Sequence, residues 1–459
     1  MRDADHHYFV KAKVRFASLA LLSVGCLAVS HRATAAEPTW KAGVARVNIT
    51  PTESIWMAGY GARTKPSEGV RQPLYAKALA LEDHTGAVSV IVTADLIGFR
   101  REPAERIVAR AAKEHNLARQ KLILNASHTH SGPMTRVTKS YSLRLGREQI
   151  EAIQRYQDRL VDLVVDLIGQ ALARREPVTL AYEQGLAGFA VNRRRVQRRE
   201  HPSPTDHDVP VLAVRKADGS LLAAAFGYAC HATVLNDYRI DGDWPGYAQS
   251  ALEERYPGAM ALFVNGCGAD QNPLPRRKVE LAKRYGDTLA IAVDLVLKGE
   301  MRDLSGPLRT AFERVPLAFK APSRAEFEAR LNDGNQRKRN HAKRMLTILE
   351  EGELIESMPY PVQVWQFGDA LTLIALAGEA VVDYSLRFKR AYGWHDTWVS
   401  AYNNDVFGYV PSLRVLTEGG YEGGDAMWGG SFPGPFRAGV EETIAETVDE
   451  LVERTGGND

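Results

Sequence analysis

The sequence predicts a mixed α/β fold: β-sheets built from hairpin-helix-strand units, flanked by helices, with a metal site at the strand ends. Three observations lead there. A plan of two apolar runs around a polar turn, then a helical stretch, then a third apolar run ending in a polar loop, occurs three times. Several of those strand ends carry a histidine or a carboxylate. At 459 residues, with 45% hydrophobic and 25% charged side chains, the chain can bury a large core.

The elements follow in order. Residues 40–50 read as a strand that stops at Pro51, and 56–61 as a glycine-rich aromatic loop. The first hairpin pairs 78–81 with 88–92 around Asp83-His84-Thr85-Gly86 and ends at Asp95. Pro103 suits the first turn of a helix running to His115, after which the apolar run 122–124 leads into Asn125-Ala126-Ser127-His128-Thr129-His130-Ser131-Gly132-Pro133. Residues i and i+2 of an extended chain point the same way, so His128 and His130 face one pocket, one suited to a metal and the other to a proton.

The second unit pairs 211–214 with 221–229 around Asp218-Gly219 and runs straight into His231. A helix over 247–254 and a strand over 261–264 then reach the loop 265–270, which ends at Asp270. The third unit pairs 362–367 with 371–377 around Gly368-Asp369, continues through Gly378-Glu379, a helix over 381–392 and a strand over 398–401, and ends at Asp405. Strands lying side by side bring Asp95, His128, His231, Asp270, Glu379 and Asp405 toward one rim, where open α/β sheets place their sites. Asp95 and Asp405 read equally well as turn residues. His231 does not, because Ala229-Cys230-His231-Ala232-Thr233-Val234 is an apolar setting for an unpaired imidazole. Outside the units, Ser323 and Glu326 form a capping box that opens a charged helical insert around 323–350. A closing helix covers 440–452, and the arginine-rich run 193–199 reads as a solvated face.

The first 36 residues are of another kind. Lys11, Lys13 and Arg15 precede an apolar run over 16–29 and the small residues Ala33-Thr34-Ala35-Ala36, the order of a secretory signal peptide. The mature chain is then exported, periplasmic or secreted; Cys26 as a lipid-anchored cysteine is the alternative. No later run is long enough to span a membrane. Without residues 1–36, 53 basic side chains face 54 acidic ones, a balance that points neither to nucleic acid nor to an anionic membrane surface. Cys230 and Cys267 remain, as a disulfide or as two buried thiols.

His128, His231 and Glu379 supply two histidines and a carboxylate, the donor types of a catalytic zinc site with an open position. Several ordered motifs carry a further resemblance: His128-Thr129-His130-Ser131-Gly132-Pro133, His231-Ala232-Thr233, Gly242-Asp243-Trp244-Pro245-Gly246-Tyr247-Ala248, Gly378-Glu379, and Tyr409-Val410 followed twelve residues on by Tyr421-Glu422. Over about residues 42–436 the chain resembles the neutral/alkaline non-lysosomal ceramidase family. That resemblance implies one Zn²⁺ per chain held by His128, His231, Glu379 and Tyr409, with His130, Arg193 and Tyr421 as catalytic helpers. It implies hydrolysis of an N-acyl amide bond by zinc-bound hydroxide, and a small-molecule or lipid-like N-acyl substrate.

Two departures bear on the substrate. Where the family's ceramidases have a serine in a Gly-Asp-x-Ser-Pro-Asn loop, this chain has Gln271 in Gly268-Ala269-Asp270-Gln271-Asn272-Pro273. The family's C-terminal immunoglobulin-like domain is not expected here, so residues 37–459 read as a catalytic domain alone. The alternatives are a metal-dependent ester hydrolase on the same centre and a non-catalytic lipid- or carbohydrate-binding envelope protein. The sequence says nothing of oligomeric state.

Overall fold

Three parallel strand pairs, each joined by a helix, organise the molecule. The computed structural model describes residues 40–136, 145–194, 203–430 and 432–456; the expected signal peptide with Cys26, and most of the arginine run, lie outside them. The strands are β1 (Trp40–Asn48), β2 (Tyr75–Glu82), β3 (Val88–Ala94), β4 (Leu122–Ala126), β5 (Glu176–Leu186), β6 (Ala190–Asn192), β7 (Asp208–Lys216), β8 (Leu221–Tyr228) and β9 (Met260–Asn265). They continue with β10 (Gln271–Pro273), β11 (Arg302–Leu304), β12 (Leu308–Ala318), β13 (Ser357–Phe367), β14 (Leu371–Ala377), β15 (Glu379–Ala380), β16 (Thr397–Asn403) and β17 (Tyr409–Val410).

Each predicted unit takes its predicted form. The hairpins are β2–β3, β7–β8 and β13–β14, all antiparallel. The strand after each helix then lies parallel to the second hairpin strand, as β3 with β4, β8 with β9 and β14 with β16. A parallel neighbour cannot be reached by a tight turn, and the helices Arg101–His115, Asp243–Arg255 and Val382–Tyr392 make the crossovers. The second of these starts at Asp243, four residues earlier than the sequence pattern suggests, with Pro245 in its first turn.

The units join into a sheet of thirteen strands in the order β12-β13-β14-β16-β4-β3-β2-β1-β5-β7-β8-β9, with β11 added on β5. One inner core collects apolar side chains from all three units, among them Leu79, Ile91, Leu212, Leu262, Leu373 and Trp398. Three further clusters pack the other face of each unit against its helices. Burial on both faces explains why β4 and β16 read as continuous rather than alternating runs. Two long helices outside the repeated plan, Arg147–Ala173 and Val279–Lys298, cover the first and second units. The insert is a pair of helices, Arg324–Arg330 and Gln336–Glu351, with the Ser323–Glu326 capping box present and a small core of Phe327, Ala342 and Met345.

The crossover strands carry, at or next to their last residue, asparagines that meet at 0% exposure: Asn125 of β4, Asn265 of β9 and Asn403 of β16. Asn125 Nδ2 donates to the Ala401 carbonyl at 2.8 Å and to Asn403 Oδ1 at 2.9 Å, while its Oδ1 accepts the Asn265 N–H at 2.9 Å. Asn265 Nδ2 in turn donates to the Ser127 carbonyl at 3.3 Å, one residue before His128. Cys230 and Cys267 are buried free thiols, so the two are not bridged.

Two outcomes follow from this packing. Asn125→Ala strands several buried polar partners at once and lowers unfolding stability by about 2–4 kcal/mol, read from urea titration. Asp243, fully buried, is pushed up to about 7 by burial. A carboxyl raised in the folded state favours folding while protonated, so its contribution is complete below the unfolded value near 4 and is lost as pH rises through about 7. The wild type should therefore lose stability between pH 5 and pH 8 relative to Asp243→Asn, which lacks that titration; parallel curves would contradict it.

Candidate metal centre and its cavity

Each imidazole is aimed by a backbone carbonyl. His128 follows β4 at φ 60°, and its Nδ1 donates to the Ile97 carbonyl at 2.6 Å, in the loop after β3. His231 follows β8, and its Nδ1 donates to the Gly268 carbonyl at 2.8 Å, in the loop after β9. Both rings therefore carry the proton on Nδ1 and turn an Nε2 lone pair inward. Glu379 follows β14, and the short pairing of β15 with β17 sets it opposite Tyr409. Its Oε2 lies 3.2 Å from His128 Nε2 and 3.4 Å from His231 Nε2.

Burial first, then nearby Arg193, lowers His231 to about 4, so the ring is neutral near pH 7. Burial alone would raise Glu379, but His128 and His231 beside it outweigh that and hold its carboxyl well below the usual range. His128 Nε2, His231 Nε2 and Glu379 Oε2 thus converge on one point, and Glu379 Oε2 is buried without a hydrogen-bond partner. Such a set is costly when empty and fits a divalent cation. Tyr409 Oη stands 3.4 Å from His231 Nε2, within reach as a fourth donor.

His130 also brings a ring nitrogen into the group formed by His128 and His231. Its Nε2 is 3.1 Å from His128 Nε2, but no carbonyl orients its Nδ1, which is buried and unpartnered. Burial, then His128 and His231, hold it well below the ordinary histidine value. The unanchored ring suits proton transfer better than ligation. It is packed edge-on by Tyr60, at 5.0 Å between centroids, and by Gly59, whose φ is +92°. A Cβ on Gly59 would stand 2.5 Å from the His130 ring, which is the constraint behind the glycine-rich loop of the sequence.

Arg193 reaches the centre through Tyr409. Its Nη2 donates to Tyr409 Oη at 3.1 Å and its Nε to Glu422 at 2.6 Å; Arg194 holds the other Glu422 oxygen at 2.9 Å and Glu418 at 2.7 Å. Burial alone would lower Arg193, but Tyr409 and Glu422 outweigh it and keep the guanidinium charged. The Tyr421 ring packs edge-on against Tyr409 at 5.1 Å and is 44% exposed. His128, His130, Glu379, Tyr409 and Tyr421 line one cavity of about 200 Å³.

Three carboxylates of the predicted rim are ties outside that inner cavity. Asp95 accepts from the Tyr75 N–H and Gln249, Asp270 from the Val382 N–H and Asn192, and Asp405 from Arg101. Gln271 is fully buried: its Nε2 donates to the Ala229 carbonyl at 2.7 Å and its Oε1 accepts the Asp206 N–H at 3.1 Å. Its own carbonyl accepts the His231 N–H at 3.0 Å. The side chain is thus spent on backbone ties. Glu422, Arg194 and the wall residues Arg100 and Arg136 were not among the expected site residues. Glu422 and Arg194 had a signal, adjacency to Tyr421 and to Arg193; Arg100 and Arg136 depend on which loops meet.

With this geometry in view, residues 40–268 match the family model described as neutral/alkaline non-lysosomal ceramidase, N-terminal. The chain belongs to that family. It is 26% identical over 251 residues to a neutral ceramidase of Drosophila melanogaster, covering 50% of this chain and 34% of the relative. It is 25% identical over 265 residues to that of Drosophila pseudoobscura pseudoobscura, covering 53% and 35%. The match spans about a third of the length of these relatives. The crystal structure of neutral ceramidase from Pseudomonas aeruginosa superposes with a TM-score of 0.72 at 19% identity, over 92% of this chain and 76% of that one. A ceramidase complexed with C2 gives 0.71 at 19%, over 91% and 76%. These structures show that the family's fold is present here.

Gly59→Ala is expected to push His130 out of register and to cost activity while the metal content stays intact. Elemental analysis beside a rate measurement reads both; loss of the metal as well would place His130 in the ligand set instead.

Proposed function

We propose that this chain is an exported, zinc-dependent amidohydrolase that cleaves an N-acyl amide bond, with residues 37–459 as its catalytic domain. The observation that carries the reading is the convergence of His128 Nε2, His231 Nε2 and Glu379 Oε2, all acceptors, on one buried point. His128, His231, Glu379 and Tyr409 would hold the ion. When bound, a zinc ion lowers the pKa of water to about 7 and polarises a carbonyl oxygen.

The chain's own residues account for the rest. His130 stays neutral near pH 7 and its Nε2 faces the centre, so it takes a proton from water at that atom and returns it to the departing nitrogen. Arg193, kept charged, holds the Tyr409 hydroxyl, and with Tyr421 it lends positive character to the side where the carbonyl oxygen gathers charge. Glu422 and Arg194 anchor Arg193 from behind and leave it little freedom to turn away. Hydrolysis adds water across the C–N bond, giving a carboxylic acid and an amine. Export is supported by the basic, apolar and small-residue order of residues 1–36.

The test is metal analysis of the purified protein joined to a panel of N-acyl substrates. Full activity in a metal-free preparation would refute the reading. Glu379→Gln should lose both metal and turnover. His130→Gln should keep the metal and lose about 10²–10⁴ in kcat.

A further inference from the structure

The cavity over the metal centre opens past a neck into a second chamber of about 740 Å³, and Arg100, Arg136 and Tyr421 line both. Setting aside the centre itself, Arg100 and Arg136 are the only charged residues lining the inner cavity among those described. In the outer chamber the acids are engaged elsewhere. Glu102 faces Arg106 and Gln157, Glu105 pairs with Arg314 at 3.3 Å, and Asp405 pairs with Arg101 at 2.9 Å. Arg136 is exposed and, among the described residues, forms no ion pair. Arg337, in the first turn of the helix Gln336–Glu351, adds positive charge near Tyr421. Phe407 and Phe432 add apolar surface to the lining of the outer chamber.

A neck lined by Arg136 and by Arg100, whose Nη1 also donates to the Val406 carbonyl, leads from a hydrolytic centre to an aromatic wall and suits an amphiphile that carries an anion. Arg100 and Arg136 both act on Asp405, which already pairs with Arg101, so a substrate carboxylate would give Arg136 a second counter-charge that a neutral amide would not. We propose that the substrate is an N-acyl amino acid, its carboxylate held at the neck by Arg136 and Arg100 and its acyl chain laid against Phe407 and Phe432. This rests on the amidohydrolase reading above and specifies its substrate. Water's oxygen joins the acyl carbon, the C–N bond breaks, and a proton passes to the leaving nitrogen, so the products are a fatty acid and a free amino acid.

The test pairs N-lauroylglycine with N-lauroylglycinamide, which differ by one charge at nearly constant shape. With the zinc-loaded protein at low salt, kcat/KM for the carboxylate should be about tenfold higher or more, chiefly through KM, because a charge-assisted guanidinium–carboxylate bond is at stake. Added salt should narrow the gap. Arg136→Gln should bring the ratio toward one, and Arg136→Lys should keep most of it. Equal rates in the wild type, or an Arg136→Gln loss shared equally by both substrates, would overturn the inference while leaving the amidohydrolase reading intact. If neither compound is hydrolysed while another N-acyl amide of the panel is, the inference is overturned and the amidohydrolase reading stands; if no N-acyl amide is hydrolysed by the zinc-loaded protein, both are overturned.

Discussion

The buried hydrogen bonds among Asn125, Asn265 and Asn403 are the constraint on which the rest depends. Each asparagine is the last or next-to-last residue of the crossover strand of one unit, at the depth where β4, β9 and β16 converge. An amide at that depth costs free energy unless it is paired, and here the partners come from other units. The side-chain bonds therefore do what a ladder cannot, because β4 and β16 share a single registered pair, Asn403 with Asn125. They fix the strand ends from which the site loops depart. Ser127, whose carbonyl accepts from Asn265, is the residue before His128.

From that frame the centre is built by carbonyls and by short strand pairs. The Ile97 and Gly268 carbonyls set the tautomers of His128 and His231, and each lies in the loop after the neighbouring strand of the same unit. The β15–β17 pair brings Tyr409 to Glu379, and the β6–β10 pair brings Arg193 within reach of Tyr409. Gln271 sits in β10, and its amide is consumed in holding the Ala229 and Asp206 backbones. Gln271 is absent from the lining of the inner cavity. The group of His128, His130 and Glu379 faces that cavity together with Tyr409, which the arginine-glutamate pair holds from behind.

Much of the fold was legible because its pattern is local. The three hairpins stood out by apolar runs around turns that contain Gly86, Gly219 and Gly368, all with positive φ. The helices Arg147–Ala173 and Val279–Lys298 do not follow that plan. Each carries its own apolar stripe, but nothing in the repeated units calls for them; they exist to cover the outer faces of units one and two. The rim of six titratable residues was half right for a related reason. Asp95, Asp270 and His231 all end or follow strands, and only the neighbouring backbone decides which turns inward and which is spent on N–H groups.

The sequence by itself determined the secondary plan, the family and the residue types of the site, since runs, turns and ordered motifs survive as local chemistry. His128 and His130 were visible as a pair in one segment, and the family resemblance is what implies separate roles for them. Only the tertiary structure decided what those residues face. The carbonyl behind each imidazole, the orphaned oxygen of Glu379, the Glu422 clamp on Arg193 and the arginine neck above the cavity all join segments far apart in the chain. Such contacts are set by how the three units close on a shared core, and no local pattern encodes that closure.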